Sequence, residues 1–374
     1  MRRTTMHWKT TTLAALIGAS AIAPSMAMAS PEFDIRGRAH MGFALHDEDK
    51  TELNDGVELR RARIGLNGKI DENWDGRIEY DFSEEGVSAN DVRLRRSLPV
   101  GRIILGQTKV PMGLNQLTSS NSMTFIERSS VSNIIPDSRR MGISYHMSSN
   151  PFTFQSMLYS RALGDDQDGD AQVGGAARLV FNPYHHGSSM LHLGLSAAFE
   201  DRGDQATLSL SDRPESRPAG VRLISTGDLE DVKSTQKFGV ELAWQNGPFS
   251  AEAEYLQMDL DRRDSSDPTF SGYHVQASYV LTGESRSYGG GDFGGITPAS
   301  SAGAWEVAAR FSQMDLEDSG VMGGEQENIT LGLNYYANQN LRFMTNLIRA
   351  DIKDGPLNGD ETANIALFRA MYYF

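Results

Sequence analysis

The stretch RRARIGLNGKI (60–70) sets Arg61, Arg63 and Lys69 on one parity, together with Asn67. WDGRIEYDF (74–82) carries Arg77 on the parity of Asp75, Glu79 and Asp81, and DVRLRR (91–96) carries Arg93 and Arg95 two positions apart. On an extended chain, residues spaced by two share a face. A row of guanidinium groups on one face is chemistry for oxyanions, because each planar fork can hold two oxygens at once. The competing role for any one of them is an ion pair, Arg77 with Asp75, Glu79 or another nearby acid. As a set the bias is basic: 57–70 holds four cations and one acid (Glu58), and 90–97 holds three and one (Asp91). Covalent chemistry finds no support. There is no G-x-S-x-G or H-E-x-x-H sequence, and the absence of cysteine excludes a disulfide framework and a thiolate metal site. No cofactor and no metal is expected. The acidic run DDQDGD (165–170) lacks the glutamate that a calcium loop needs at its twelfth position, which falls on Ala177 or Leu179. It reads as a solvated loop.

The elements that must carry this row are strands. Opposite the cations, Ala62, Ile64, Leu66 and Ile70 form an apolar parity, as do Trp74, Ile78, Tyr80 and Phe82. Trp74 to Phe82 is eight steps, about 26 Å along a strand. Tilted by about 40°, that gives about 20 Å of height with a ring at each border, near the ~25 Å apolar band and aromatic girdles of an outer-membrane barrel. Turn signals divide the chain into sixteen expected strands: 33–45, 57–70, 74–83, 90–97, 101–110, 139–148, 151–161, 171–183, 190–201, 234–246, 248–259, 269–282, 302–314, 325–338, 340–351 and 362–374. Short connections (DEN 71–73, LPVG 98–101, SSNP 148–151, QNGP 245–248, ANQN 337–340) alternate with long acidic ones (46–56, 163–170, 202–233, 351–361). One connection, 283–301, lies on the short side yet is long. A soluble sandwich would show the same alternation, and a solenoid would show a fixed repeat that is not seen. Strand number, even count and connection pattern favour an all-β, transmembrane antiparallel barrel with short periplasmic turns and long extracellular loops. Lipid offers backbone groups no water, so such a sheet has to close.

Residues 1–29 read as an export signal. Arg2, Arg3 and Lys9 precede the apolar Leu13–Ala23, and Ala27-Met28-Ala29 forms a cleavage site. Its removal takes the formal charge from −14 to −17, which argues against nucleic acid as a partner. The acids concentrate in loops, where salt screens them beyond ~8–10 Å. At the other end, ALFRAMYYF (366–374) places Phe368, Ala370, Tyr372 and Phe374 on one parity and Arg369 and Met371 on the other. The first set is expected to face lipid, and the strand is expected to pair with the first one. The long connection near 111–138, rich in Ser, Asn and Thr, is expected to fold inward as a constriction, with Lys109 at its start and Arg128, Arg139 and Arg140 at or near its end.

GQTKVPMGLNQLTSSNSMTFIERS (106–129) resembles the signature region of the phosphate-selective porin O and P family. RRARIGLNGKIDENWDGRIEYDF (60–82) resembles that family's early strands, and YVLTGESRSY (279–288) with GAWEVAARFSQMDL (303–316) resembles its later ones, the long connection at 283–301 included. The resemblance implies a sixteen-stranded outer-membrane porin, typically a homotrimer, that conducts anions of the phosphate or polyphosphate type past a ladder of basic residues. Its surroundings would be outer-membrane lipid and lipopolysaccharide. The residues expected to line the anion path are Arg61, Arg63, Lys69, Arg77, Arg93, Arg95, Lys109, Arg128, Arg139 and Arg140. The alternatives are a general diffusion porin with weak or cationic preference, a plugged barrel that conducts nothing, and a membrane-embedded hydrolase.

Overall fold

A computed structural model describes residues 32–374 apart from 84–85, 166–171 and 204–206. The export signal expected at 1–29 lies outside the described residues, as does most of the acidic run at 165–170.

The chain runs β1 (Glu32–Glu48), β2 (Gly56–Lys69), β3 (Trp74–Asp81), β4 (Ser88–Ser97), β5 (Arg102–Lys109), the short helices α1 (Leu114–Leu117) and α2 (Ser130–Ile134), then β6 (Arg139–Ser149), β7 (Phe152–Tyr159), β8 (Val173–His186) and β9 (Ser189–Asp201). A hairpin follows, β10 (Leu208–Asp212) with β11 (Ile224–Leu229), and then β12 (Val232–Asn246), β13 (Phe249–Arg262) and β14 (Thr269–Val280). A second hairpin, β15 (Tyr288–Gly289) with β16 (Asp292–Phe293), precedes β17 (Ala304–Asp318), β18 (Val321–Tyr336), β19 (Leu341–Gly355) and β20 (Gly359–Tyr373). The two hairpins apart, sixteen strands form one closed antiparallel barrel in which each strand pairs with the next. All sixteen expected strands are present.

Closure takes place where the C-terminal rings are. β20 pairs with β1 from Arg38 opposite Tyr373 to Glu48 opposite Ala363, and Gly37 and Phe374 exchange backbone hydrogen bonds at 3.0 Å. Phe368 and Tyr372 point outward while Arg369 and Met371 are buried inside, as the parity predicts. The outer wall carries a broad apolar band, with Ile64, Leu158, Leu195, Leu331 and Leu347 all exposed. Outward rings cluster at the short-turn end: Trp305 lies 4.5 Å from Tyr335, and Trp244 lies 5.3 Å from Phe249. Such a wall is stable only against hydrocarbon.

Two features depart from the expected boundaries. The acidic stretch 351–361 is no long loop: β19 continues to Gly355 and β20 starts at Gly359. Charges at the rim pair along and across strands, Arg349 with Asp351 on β19 at 3.1 Å and Lys353 with Glu327 of β18 at 2.9 Å, so the ladder extends past the apolar band with these polar side chains satisfied. The second departure is a bulge in β2. His40 pairs with Arg61 and Met41 with Leu59, leaving Arg60 as the extra residue. A bulge resets parity, so Arg60 and Arg61 both turn inward although they are neighbours.

Three segments enter the barrel. Residues 110–138 lie along the inner face of β13–β20: Ile126 N donates to Asn346 Oδ1 at 2.8 Å, and Arg342 and Arg310 donate to the carbonyls of Met123 and Glu127 at 2.7 and 3.0 Å. From the long-loop end residues 208–231 cover them, with Glu215 accepting from Ser130 N and Ser312 Oγ and paired with Arg310. From the short-turn end 281–303 reaches in, where Arg286 donates to Ser122 O at 2.8 Å and Phe293 meets Leu114 and Met190. The inward parity is therefore not uniformly polar. Leu256, Met258, Phe270, Met314 and Ile348 point inward and form an interior core with Met112, Ile126, Val131 and Ile135. Val131 and Ile135 are fully buried, each worth about 1.5–3 kcal/mol toward holding the segment in place.

Candidate functional site

With the far wall covered, the open part of the lumen lies against β1–β6. It is a cavity of about 390 Å³ whose wall comprises ten arginines and Lys109, with Glu79, Asp91 and Asp292 as its carboxylates among the described residues. Period-two spacing builds it. β1 contributes Arg36 and Arg38, β2 Arg61 and Arg63, β3 Arg77, β4 Arg93 and Arg95, β5 Arg102 and β6 Arg139, while Arg128 arrives from the inward segment. Gly106, in the GQTK stretch, adopts φ +117°, open to glycine alone at low cost. A Cβ there would sit 2.2 Å from Val92 O. Beyond this twist Thr108 and Lys109, although adjacent, both reach the cavity.

The cations fall into three groups. Some are neutralised: Arg77 and Arg139 share Asp91 at 3.2 and 2.8 Å, Arg36, Arg38 and Arg63 lie 3.9, 3.3 and 3.7 Å from Glu79, and Arg95 pairs with Asp75. Others are staples. Lys109 Nζ donates to the carbonyls of Gln116, Leu117 and Thr118, and Arg128 to those of Asn115, Gln116 and Thr118. Both thus cap the C-terminal end of α1 and bring positive charge to the cavity edge. Burial, partly opposed by Glu127, draws Arg128 down to about 10, so it stays charged at neutral pH. The third group, Arg61, Arg93 and Arg102, has no hydrogen bond or ion pair to another side chain among the described residues. Buried nitrogens of Arg61 (Nε) and Arg93 (Nη1) lack any partner.

The structure thus brings together Arg61, Arg63, Arg77, Arg93, Arg95, Lys109, Arg128 and Arg139. It places two candidates elsewhere. Lys69 is exposed at the short-turn end of β2. Arg140 points inward but into a separate cluster with Asp137 (2.9 Å) and Glu200 (3.6 Å), beside Lys237. Arg140→Ala is accordingly expected to leave ion selectivity unchanged and to lower thermal stability, measured by reversal potential and by the heat-dependent gel migration of the folded barrel. Arg36, Arg38 and Arg102 complete the wall beyond the expected set; FDIRGRAH carries the same period-two signal, and in GRIILG Arg102 shares the parity of the inward Ile104. Arg60 could not be read from parity, because the bulge reverses it.

The profile of the phosphate-selective porin O and P family matches residues 33–374. The chain belongs to that family. It is 29% identical to Porin O of Pseudomonas aeruginosa, over 91% of this chain and 88% of that one. It is 28% identical to an uncharacterised protein of Caulobacter vibrioides, over 90% and 72%. Among solved structures, the fold is shared with outer-membrane-expressed OmpT of Vibrio cholerae (TM-score 0.62, 12% identity, 93% of this chain and 99% of that one). It is shared also with the anion-selective porin of Comamonas acidovorans (0.56, 13%, 92% and 100%). These likenesses concern architecture alone. Family and barrel together make the protein a porin of the bacterial outer membrane, so the short-turn end is periplasmic and the long-loop end extracellular.

Proposed function

We propose that this porin is a passive, anion-selective diffusion channel of the phosphate or polyphosphate type, with the β1–β6 wall as its anion path. The observation that carries the reading is the trio Arg61, Arg93 and Arg102: guanidinium groups on one wall of the cavity with no hydrogen bond or ion pair to another side chain among the described residues. The paired arginines and the loop staples Lys109 and Arg128 add field, and Lys109 and Arg128 also hold the constriction in shape. Lumen charge of one sign sets selectivity, whereas the acids behind the net charge of −14 lie largely in loops and at rims, where salt screens them. In this reading 111–138 is the constriction, residues 1–29 direct export, the outer wall meets lipid and lipopolysaccharide, and the barrels assemble as homotrimers. The family's name supports the phosphate reading, and the trimeric form of OmpT of Vibrio cholerae supports the homotrimer, each by likeness.

One observation favours a second reading. Three segments occupy the lumen, and a barrel so filled would be a plug. Reconstitution in a planar bilayer under a salt gradient separates the two. The channel reading expects a reversal potential on the anion side and a chloride current that millimolar phosphate reduces. A potential on the cation side overturns it, and absence of conductance supports the plug.

A further inference from the structure

A second polar cluster lies on the far wall, away from the basic cavity. Glu252 and Glu254 on β13 and His274 on β14 turn inward under α1 and α2, and all three are buried. His274 Nε2 is 3.4 Å from Glu252 Oε1 and 3.7 Å from Glu254 Oε2, and one donor atom from each residue lies within 4.8 Å of the others. The two imidazole–carboxylate separations are close to the ~3.3 Å edge of a tetrahedron whose donors stand ~2.0–2.1 Å from Zn²⁺. His274 Nδ1 is 3.1 Å from Ser129 Oγ. In the tautomer whose Nδ1–H donates to Ser129 Oγ, the Nε2 lone pair faces the carboxylates, the outer-shell arrangement of a metal-bound imidazole.

Two independent features show that the cluster is short of positive charge and of partners. Among the described residues, nine of the twelve buried carboxylates have an Arg or Lys within 4 Å. Glu252 and Glu254 have only His274, and the remaining one, Glu361, is at the extracellular rim. Two carboxylates held together in a low-dielectric site need a proton or a cation between them. In addition, Asn115 is 4% exposed and its Oδ1 has no hydrogen-bond partner, while its Nδ2 sits 3.1 Å from Glu252 Oε1. Among the described residues a buried amide that touches the cluster through Glu252 thus keeps an unused oxygen.

We propose that Glu252, Glu254 and His274 form a binding site for a divalent transition-metal ion of the Zn²⁺ class, with the Asn115 amide beside it. A mixed imidazole and carboxylate set suits Zn²⁺ better than Mg²⁺ or Ca²⁺, which take oxygen ligands. The ion would tie the constriction to the wall. Glu254 already accepts from the backbone N–H groups of Leu114 and Asn115, and Ser129 leads into α2. The site is separate from the basic cavity, so its failure leaves the anion path standing.

The test is equilibrium dialysis of the folded, chelator-treated barrel in detergent against micromolar Zn²⁺ at neutral pH, followed by X-ray absorption at the zinc edge. The expected result is about one Zn²⁺ per chain with nitrogen and oxygen ligands only, one of them an imidazole. Binding is expected to be lost in Glu252→Gln/His274→Gln and retained in His185→Ala/His186→Ala. A wild-type barrel that takes up no zinc overturns the proposal, as does a Glu252→Gln/His274→Gln barrel that binds as much as wild type. Should that variant not fold, the wild-type spectrum decides alone, and a zinc shell without imidazole overturns the assignment.

Discussion

Replacing Arg61 and Arg93 together by glutamate is expected to move the reversal potential toward the cation side and to raise at least tenfold the phosphate concentration that halves the chloride current. Neither guanidinium is committed to a carboxylate, so neither change breaks an internal ion pair. What is lost is binding capacity for the ion in transit, and a hydrogen bond to a charged group is worth about 1.5–3 kcal/mol, or roughly ten- to a hundredfold in affinity. Reversal adds repulsion at close range, where water screens incompletely. The same substitution at Arg77, already shared with Asp91 at 3.2 Å, is expected to shift selectivity less. Equal shifts at the two kinds of site would mean that total lumen charge, and not free guanidinium groups, governs the path. An unmoved potential in the double variant would remove the β1–β6 wall from the mechanism.

Glu127→Ala is expected to carry the largest cost in stability. Glu127 accepts from Arg60 Nε at 2.9 Å and from Arg369 Nη2 at 2.8 Å, and Arg369 is paired as well with Glu58. Removing the carboxylate leaves buried guanidinium groups facing one another, a loss of about 3–5 kcal/mol for a broken buried pair. Because this pair holds the constriction to β2 and β20, open-channel current noise should rise as thermal stability falls. Glu127→Gln, which keeps shape and hydrogen-bonding oxygen, should fall between. Burial would raise the Glu127 carboxyl, but Arg60, Arg369 and Arg61 hold it well below the ordinary carboxylate range. A depressed carboxyl stabilises the fold above the unfolded value and loses that contribution only as pH falls through the folded one. The wild-type anchor should therefore persist into mildly acidic solution. A Glu127→Ala barrel as heat-resistant and as quiet as wild type would sink this account.

Much of this protein was present in its period-two pattern. The alternation at 60–70 and 74–82, the turn signals and the terminal aromatics were sufficient for a sixteen-stranded barrel closed by pairing of the last strand with the first. The physical reason is that a sheet with lipid on one side and water on the other leaves each residue one binary choice. The same alternation located most of the basic wall, because Arg61, Arg63, Arg77, Arg93 and Arg95 inherit their direction from it. Arg36, Arg38 and Arg102 were equally legible.

What alternation could not supply is anything that depends on a partner distant in sequence. Arg60 turns inward because one residue is inserted at a bulge set by its pairing with β1. Lys109 and Arg128 became staples because α1 folds back to offer them carbonyls, and Arg140 left the basic wall because Asp137 and Glu200 meet it from other segments. The one-sidedness of the lumen arises the same way, from inward Leu256, Phe270 and Met314 that receive the constriction. Strand direction is a local property of backbone geometry and could be read residue by residue. Which cations remain free to meet an ion is decided by what every other segment has already claimed, and only the closed barrel determines that.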